Sequence, residues 1–203
     1  NGGPTRTHAI LLGSPAINAG SNALALDSQG NPLTTDQRGP GFPRIQRSIV
    51  DLGAFESPYE TPSLVVTTGD DVVNPSDGLT SLREAVAYAA IKPGADTITF
   101  APSVFAVLLT SGQITLDSNV SILGQGAVVT IARASANEFR IFDVTPGVST
   151  RLENLTVTGG LVPLFTLGGG VRNAGTLSVF ACVFLNNSAY DGGAIQNYGT
   201  LSV

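Results

Sequence analysis

Apolar positions change their spacing twice along this chain. Over residues 1–56 they come in short runs, such as Ala9-Ile10-Leu11-Leu12 and Val50-Asp51-Leu52-Gly53-Ala54-Phe55, broken by Gly, Pro and Asn. That pattern predicts an irregular, loop-rich element that packs on something else, because alone it has too little apolar surface to offset its ordering entropy. Two prolines in Ser57-Pro58-Tyr59-Glu60-Thr61-Pro62 flank a polar spacer. The spacer divides a first segment, 1–58, from a second, 63–203, with 59–62 as linker. Ser63-Leu64-Val65-Val66-Thr67-Thr68 then reads as a short β-type run.

A helical period follows. Leu82, Ala85, Val86 and Ala89 form one apolar stripe, which predicts a helix over about 80–90. Ser81 and Glu84 have the spacing of a capping box with Ser81 as N-cap, and Lys92-Pro93-Gly94 ends the helix. From Asp96 onward the period is two. Thr97-Ile98-Thr99-Phe100, Gln113-Ile114-Thr115-Leu116, Asn119-Val120-Ser121-Ile122-Leu123, Val129-Thr130-Ile131 and Asn154-Leu155-Thr156-Val157 predict short strands separated by Gly- or Asn-rich turns.

An internal repeat decides the architecture. Gly168-Gly169-Gly170-Val171-Arg172-Asn173-Ala174-Gly175-Thr176-Leu177-Ser178-Val179 recurs 24 residues later as Gly192-Gly193-Ala194-Ile195-Gln196-Asn197-Tyr198-Gly199-Thr200-Leu201-Ser202-Val203, identical at eight of twelve positions. Short strands at that period predict an all-β fold, a right-handed parallel β-helix (solenoid), with one short capping α-helix and a loop-rich terminal segment. Stacked coils place Val171 over Ile195, Leu177 over Leu201, Val179 over Val203 and Asn173 over Asn197, the last pair as an amide ladder. A β-sandwich would show hairpin turns instead of an aligned strand, Gly and Asn repeat. The helix is expected to cover the N-terminal end of the stack. At the other end the repeat is cut at Val203, which predicts that more chain or another subunit continues from there.

Composition narrows the partners. Charged residues make up 12% of the chain, about half the usual share, and hydrophobic residues 42%. A net charge of −5, with Lys92 as the only lysine, argues against nucleic acid, and no apolar run is long enough to span a bilayer. Cys182 is the single cysteine, so no intrachain disulfide is expected; between Val179 and Phe184 it reads as a small core residue. Residue 1 is Asn, and there is no initiator Met or signal peptide, as expected of an excised or processed piece.

These residues carry a resemblance. Leu79-Thr80-Ser81-Leu82-Arg83-Glu84-Ala85 resembles the Cys-Ser-Leu-Arg-Glu-Ala (CSLREA) motif that opens many secreted bacterial β-helix proteins, with Thr80 in place of its cysteine. The Gly-Gly-Gly…Asn-x-Gly-Thr-Leu-Ser-Val coils resemble polymorphic outer-membrane and autotransporter-passenger repeats. Residues 1–56 resemble the choice-of-anchor segment that closes such β-helices. The matching stretches are Asn1–Thr5, Thr7–Ala9, Gly13–Gly20, Thr35–Gly39 and Val50–Glu56. Closing precedes opening here, which implies a window across the junction of two modules in a tandem array. The resemblance implies an extracellular or cell-surface location and no particular chemistry.

Candidate chemistry is sparse. Asp70, Asp71 and Asp77, with Asn74, offer oxygen ligands that weakly suggest Ca²⁺ but lack the pattern of a known loop, and a solvated turn leading to the helix N-terminus, where acids suit the dipole, is the better reading. No other cofactor is expected. The acids after residue 95 are Asp96, Asp117, Glu138, Asp143, Glu153 and Asp191, too scattered to predict the paired carboxylates of glycan hydrolysis. The lone His8 reads as a packing or surface residue. Asp36, Arg38, Asp51 and Glu56 are candidates for ion pairs holding the first segment. Asn119, Asn154 and Asn186 begin glycosylation sequons, which arise readily by chance in such a composition.

The expectation is therefore a non-enzymatic structural module of a surface or fibre protein, rod-forming by head-to-tail stacking with copies of itself or neighbouring modules. The alternatives are an adhesin that binds glycan or a host surface, which Tyr190 and Tyr198 exposed in one line would favour, and a glycan-degrading β-helix enzyme.

Overall fold

The computed structural model describes all residues except Leu12, Arg47, Ser48, Gln125 and Ala127, so the apolar run 9–12 lies partly outside the described residues. The chain forms two compact units, Asn1–Pro62 with Asn74–Gly78, and Ser63–Val73 with Leu79–Val203.

Among its described residues, the first unit has one turn of 3-10 helix, Asn22–Leu24, and is otherwise irregular. Buried charge takes the place of a large apolar core. Asp36 and Arg38 are both buried, and the guanidinium grips the carboxylate at 2.6 Å and 2.9 Å. Its planar face lies between the rings of Phe42 and Phe55, 4.1 Å and 4.0 Å from their centroids. The guanidinium also donates to the Glu56 carbonyl at 2.7 Å. Of the four candidates for ion pairing, Asp36 and Arg38 pair with each other. Glu56 pairs with Arg44 instead, at 3.0 Å, and Asp51 accepts the backbone amides of Asn18 and Ser57, each at 2.6 Å. Residues 59–62, expected as a linker, are tied into this unit: the Glu60 amide donates to the Pro75 carbonyl at 2.8 Å, and the Asn18 side chain meets the Thr61 hydroxyl at 3.1 Å.

The second unit is a parallel β-helix. Three sheets run its length, and the chain visits them in rotation. The first contains β1 (Val65–Val66), β2 (Asp96–Phe100), β5 (Val120–Leu123), β8 (Ser149–Glu153), β11 (Thr176–Phe180) and β14 (Thr200–Ser202). The second contains β3 (Ala106–Leu109), β6 (Val129–Arg133), β9 (Leu155–Thr158) and β12 (Val183–Leu185). The third contains β4 (Ile114–Leu116), β7 (Phe142–Val144), β10 (Val171–Asn173) and β13 (Ile195–Asn197). Every neighbouring pair of these strands is parallel. Asp96, Val120, Thr150, Leu177 and Leu201 follow one another up one column, so successive coils take 24, 30, 27 and 24 residues.

Alternation within each strand sends one set of side chains inward. Ile114, Phe142, Val171 and Ile195 stack in the third sheet, and Val107, Ile131, Val157 and Phe184 in the second. The helix α1 (Leu82–Ile91) starts two residues later than its expected span, because Ser81 is its N-cap in a complete capping box with Glu84. Leu82, Ala85, Val86 and Ala89 are buried in the same core, and the helix packs on β1, β2 and β4, the first coil. Lys92 pairs with Asp96 at 2.7 Å, joining the helix end to the start of β2.

The repeat pairs as expected at Val171 with Ile195, Asn173 with Asn197, and Leu177 with Leu201. The register ends at Ser178 with Ser202. Val203 lies beyond β14 and is exposed, so its expected place over Val179 is not part of the ladder. Asn173 is fully buried. Its amide donates to Asn197 Oδ1 at 2.6 Å and to the Thr200 carbonyl at 2.9 Å, and its oxygen accepts the Gly175 amide at 3.1 Å. Gly175 is forced by the same stacking: a Cβ there would lie 2.5 Å from the Thr145 carbonyl oxygen and closer still to that of Val148. Corners recur as left-handed residues. Asn154 (φ 51°) turns the chain from β8 to β9, and Ala181 (φ 49°) does so one coil later.

Two stability changes follow. Asn173→Ala removes three hydrogen bonds at a buried site and is expected to cost about 2–4 kcal/mol, with the loss read from urea melts. Ala181→Gly or Ala181→Asn is expected to gain roughly 0.5–1 kcal/mol, because alanine holds the left-handed conformation at a cost of about 1–2 kcal/mol. A neutral or destabilising result at both substitutions contradicts the corner assignment.

Candidate functional site

Among the described residues of the second unit, polar and aromatic side chains gather on the outer face of the third sheet and at the corner that leads to it. Outward positions there stack as Thr115, Asp143, Arg172 and Gln196. Arg172 holds Asp143 with a fork, Nε to Oδ1 at 2.7 Å and Nη2 to Oδ2 at 3.1 Å, and Gln113 donates to the same Oδ2 at 3.2 Å. A second guanidinium, Arg140, lies buried beside them with Nη1 3.8 Å from Asp143 Oδ1, too far for a hydrogen bond. Its Nε and Nη1 have no hydrogen-bond partner. Burial pulls the Arg140 pKa below its ordinary value, Asp143 opposes that, and the charge of Arg172 adds to it. Two guanidinium groups therefore share one carboxylate.

Between β9 and β10 the chain leaves the coil as Leu161-Val162-Pro163-Leu164-Phe165-Thr166-Leu167. The Thr166 amide donates to the Pro163 carbonyl at 2.9 Å, closing a tight turn with Leu164 and Phe165 at its tip. Phe165 has φ +67°, the third position of a type II turn that normally holds Gly. Leu164 is 84% exposed and Phe165 80%. The turn is fastened at both sides, by Val162 N to Ser188 O at 3.3 Å and Tyr190 N to Thr166 O at 3.1 Å. Tyr190, 69% exposed, stands beside Phe165 with ring centroids 5.5 Å apart. From this aromatic corner Gly168 and Gly192 lead directly to the ladder. Gln196 lies across both: added Cβ atoms would come 3.1 Å from its Cβ and 2.5 Å from its Oε1.

The weak calcium candidates do not belong to one unit. Asp77 belongs to the first unit, while Asp70 and Asp71 belong to the second. Asp70 is exposed and bonded to the Thr68 hydroxyl at 3.3 Å. Asp71 is saturated by protein donors: Arg83 Nε and Nη2 at 2.8 Å and 3.0 Å, and the amides of Thr110 and Ser111 at 2.9 Å and 2.7 Å. Calcium at Asp71 would have to displace Arg83. Among the described residues no three His, Cys, Asp or Glu side chains gather as a metal site would require.

The remaining candidates are dispersed. Glu153 pairs with Arg151 at 2.6 Å, while Asp117, Glu138 and Asp191 are exposed. His8 is exposed, and Cys182 packs half-buried against the core, where burial pushes its thiol pKa up. Tyr190 and Tyr198 are both exposed, but they lie on either side of β13 in one coil and so do not form a line along the rod. Sequence reasoning missed Arg140, Asp143 with Arg172, and the Phe165 turn. The one available signal was the apolar run 161–167 set in polar surroundings. No family model, curated protein or solved structure matches the chain.

At Asp71 burial raises the carboxyl pKa, but the Arg83 and amide hydrogen bonds outweigh it and the net shift is downward. Its stabilising contribution is therefore complete above the unfolded carboxylate range near pH 4 and is lost as pH falls through the lower folded value. Asp71→Asn is expected to flatten the acid limb of the stability profile, and millimolar Ca²⁺ is expected to leave the melting temperature unchanged. A calcium-induced rise would restore Asp71 as a metal ligand.

Proposed function

We propose that the chain is a structural module of a large extracellular surface or fibre protein, in which β-helical coils build a rigid rod by end-to-end stacking. The carrying observation is the unbroken parallel register of the first sheet through β2, β5, β8, β11 and β14. A coil that pairs with the one below presents the same ladder to the one above, so the architecture lengthens without any new kind of contact. Copies of the module or neighbouring modules are the natural partners, meeting head to tail in a contact that does not close on itself. The likeness of 79–85 to the opening motif of secreted β-helices, and of 1–56 to their closing segment, supports this reading and the cell-surface location.

A second reading, adhesion to glycan, has its own observation. Phe165 and Tyr190 form an exposed aromatic pair held in a strained turn, and strain kept at a surface position marks a role beyond folding.

Negative-stain electron microscopy of the native material at physiological salt is expected to show long uniform filaments with an axial repeat. Discrete short rods would overturn the structural reading and leave adhesion in its place.

A further inference from the structure

We propose that the outer face of the third sheet, from the Phe165–Tyr190 pair to Arg172, binds a polysaccharide whose sugars carry carboxylates. This rests on the adhesive reading of the same corner and names its ligand class.

Three observations converge. First, the ring pair offers an exposed apolar platform, suited to the flat hydrocarbon face of a sugar. Its presentation is costly, since Leu164 and Phe165 occupy the tip of a turn whose geometry favours glycine at the phenylalanine position. Second, the platform joins a strip of planar hydrogen-bonding groups, Gln196 and then Arg172, and the glycines at 168 and 192 keep the strip flat. Gln196 lies six positions after Tyr190, a reach of at most about 20 Å, which suits a short run of sugars. Third, donors are in surplus. Asp143 takes two of the Arg172 nitrogens, Nε and Nη2, and the same carboxylate also faces the charge of buried Arg140. Arg172 is the member within reach of a ligand, with its side chain 39% exposed. Of the two acids along this strip, Asp143 is shared by the two guanidinium groups and Asp191 accepts the Gly192 amide at 2.8 Å, so the exposed edge of Arg172 is the charge that faces a ligand and favours an anion there. Carboxylate sugars supply both the ring face and the anion.

The Phe165 turn provides a variant in which stability and binding move in opposite directions. Phe165→Gly removes the ring and relieves the left-handed strain, so the variant is expected to melt higher than the parent while losing at least tenfold in affinity. Arg172→Gln keeps a planar donor without charge and is expected to lose a similar factor, together with most of the salt dependence of binding. The experiment is calorimetric titration of the intact chain with oligogalacturonate and with its fully methyl-esterified form, at low and physiological salt. Tighter binding of the free acid, lost in both variants, supports the proposal. Equal binding of acid and ester, lost only in Phe165→Gly, overturns the carboxylate assignment but leaves glycan adhesion standing. Binding of neither overturns both. An affinity unchanged by Phe165→Gly places any binding elsewhere and also overturns the proposal.

Discussion

One constraint governs the second unit: each coil lies directly on the one below, strand over strand, about 4.8 Å away. In the inner strands of the three sheets, backbone donors and acceptors then face counterparts in the coils on either side, and each side chain acquires two fixed neighbours. Inward columns are apolar because they share one core. Where a polar residue enters, it must satisfy itself locally, as Asn173 does through Asn197, Thr200 and Gly175. Asn187 acts in the same way at another corner, accepting the Gly160 amide at 2.9 Å and donating to the Val157 carbonyl at 2.8 Å. The close approach also excludes a Cβ at Gly175 and at Gly199, which sits directly over it. The glycines and asparagines of the repeat therefore follow from the spacing.

How much of this was legible depended on whether the coil length stayed constant. The last two coils keep a 24-residue step from Val171 to Ile195, and their likeness exposes the architecture in the sequence alone. The two middle steps in the first sheet are 30 and 27 residues, so they put the first coil's positions out of phase with the last two. β8 went unseen because Ser149-Thr150-Arg151-Leu152-Glu153 puts a threonine inward between Val120 and Leu177 and lacks an apolar alternation. β7 has three residues and β12 three, too few for a period to register. The helix was plain because stripe and capping box coincide, which required no tertiary knowledge.

Polar partnerships were the least legible. Arg172 and Asp143 are 29 residues apart, a distance set by the insertion between β9 and β10, and no pattern of charges along the chain announces it. Arg44, which holds Glu56, stood among turn residues of the first unit with nothing to distinguish it. That unit follows a different principle, with the Arg38 guanidinium stacked between two phenylalanine rings and bonded to buried Asp36. Its conformation depends on a few charge-assisted contacts, whereas the β-helix depends on a pattern repeated at every level. Such repetition leaves the outer face free to vary, and the aromatic corner and guanidinium ladder occupy that face.

The stacking itself is tested most directly by distance. Thr97, Ser121, Arg151, Ser178 and Ser202 form one outward column, each over the last. Spin labels at positions 97 and 202, four coil steps apart, are expected to give backbone separations near 19 Å by pulsed electron resonance, and labels at 97 and 178 about 5 Å less. Two narrow distributions differing by that single step agree with in-register coils. Separations that do not step with the coil, or that broaden over tens of ångströms, contradict the account.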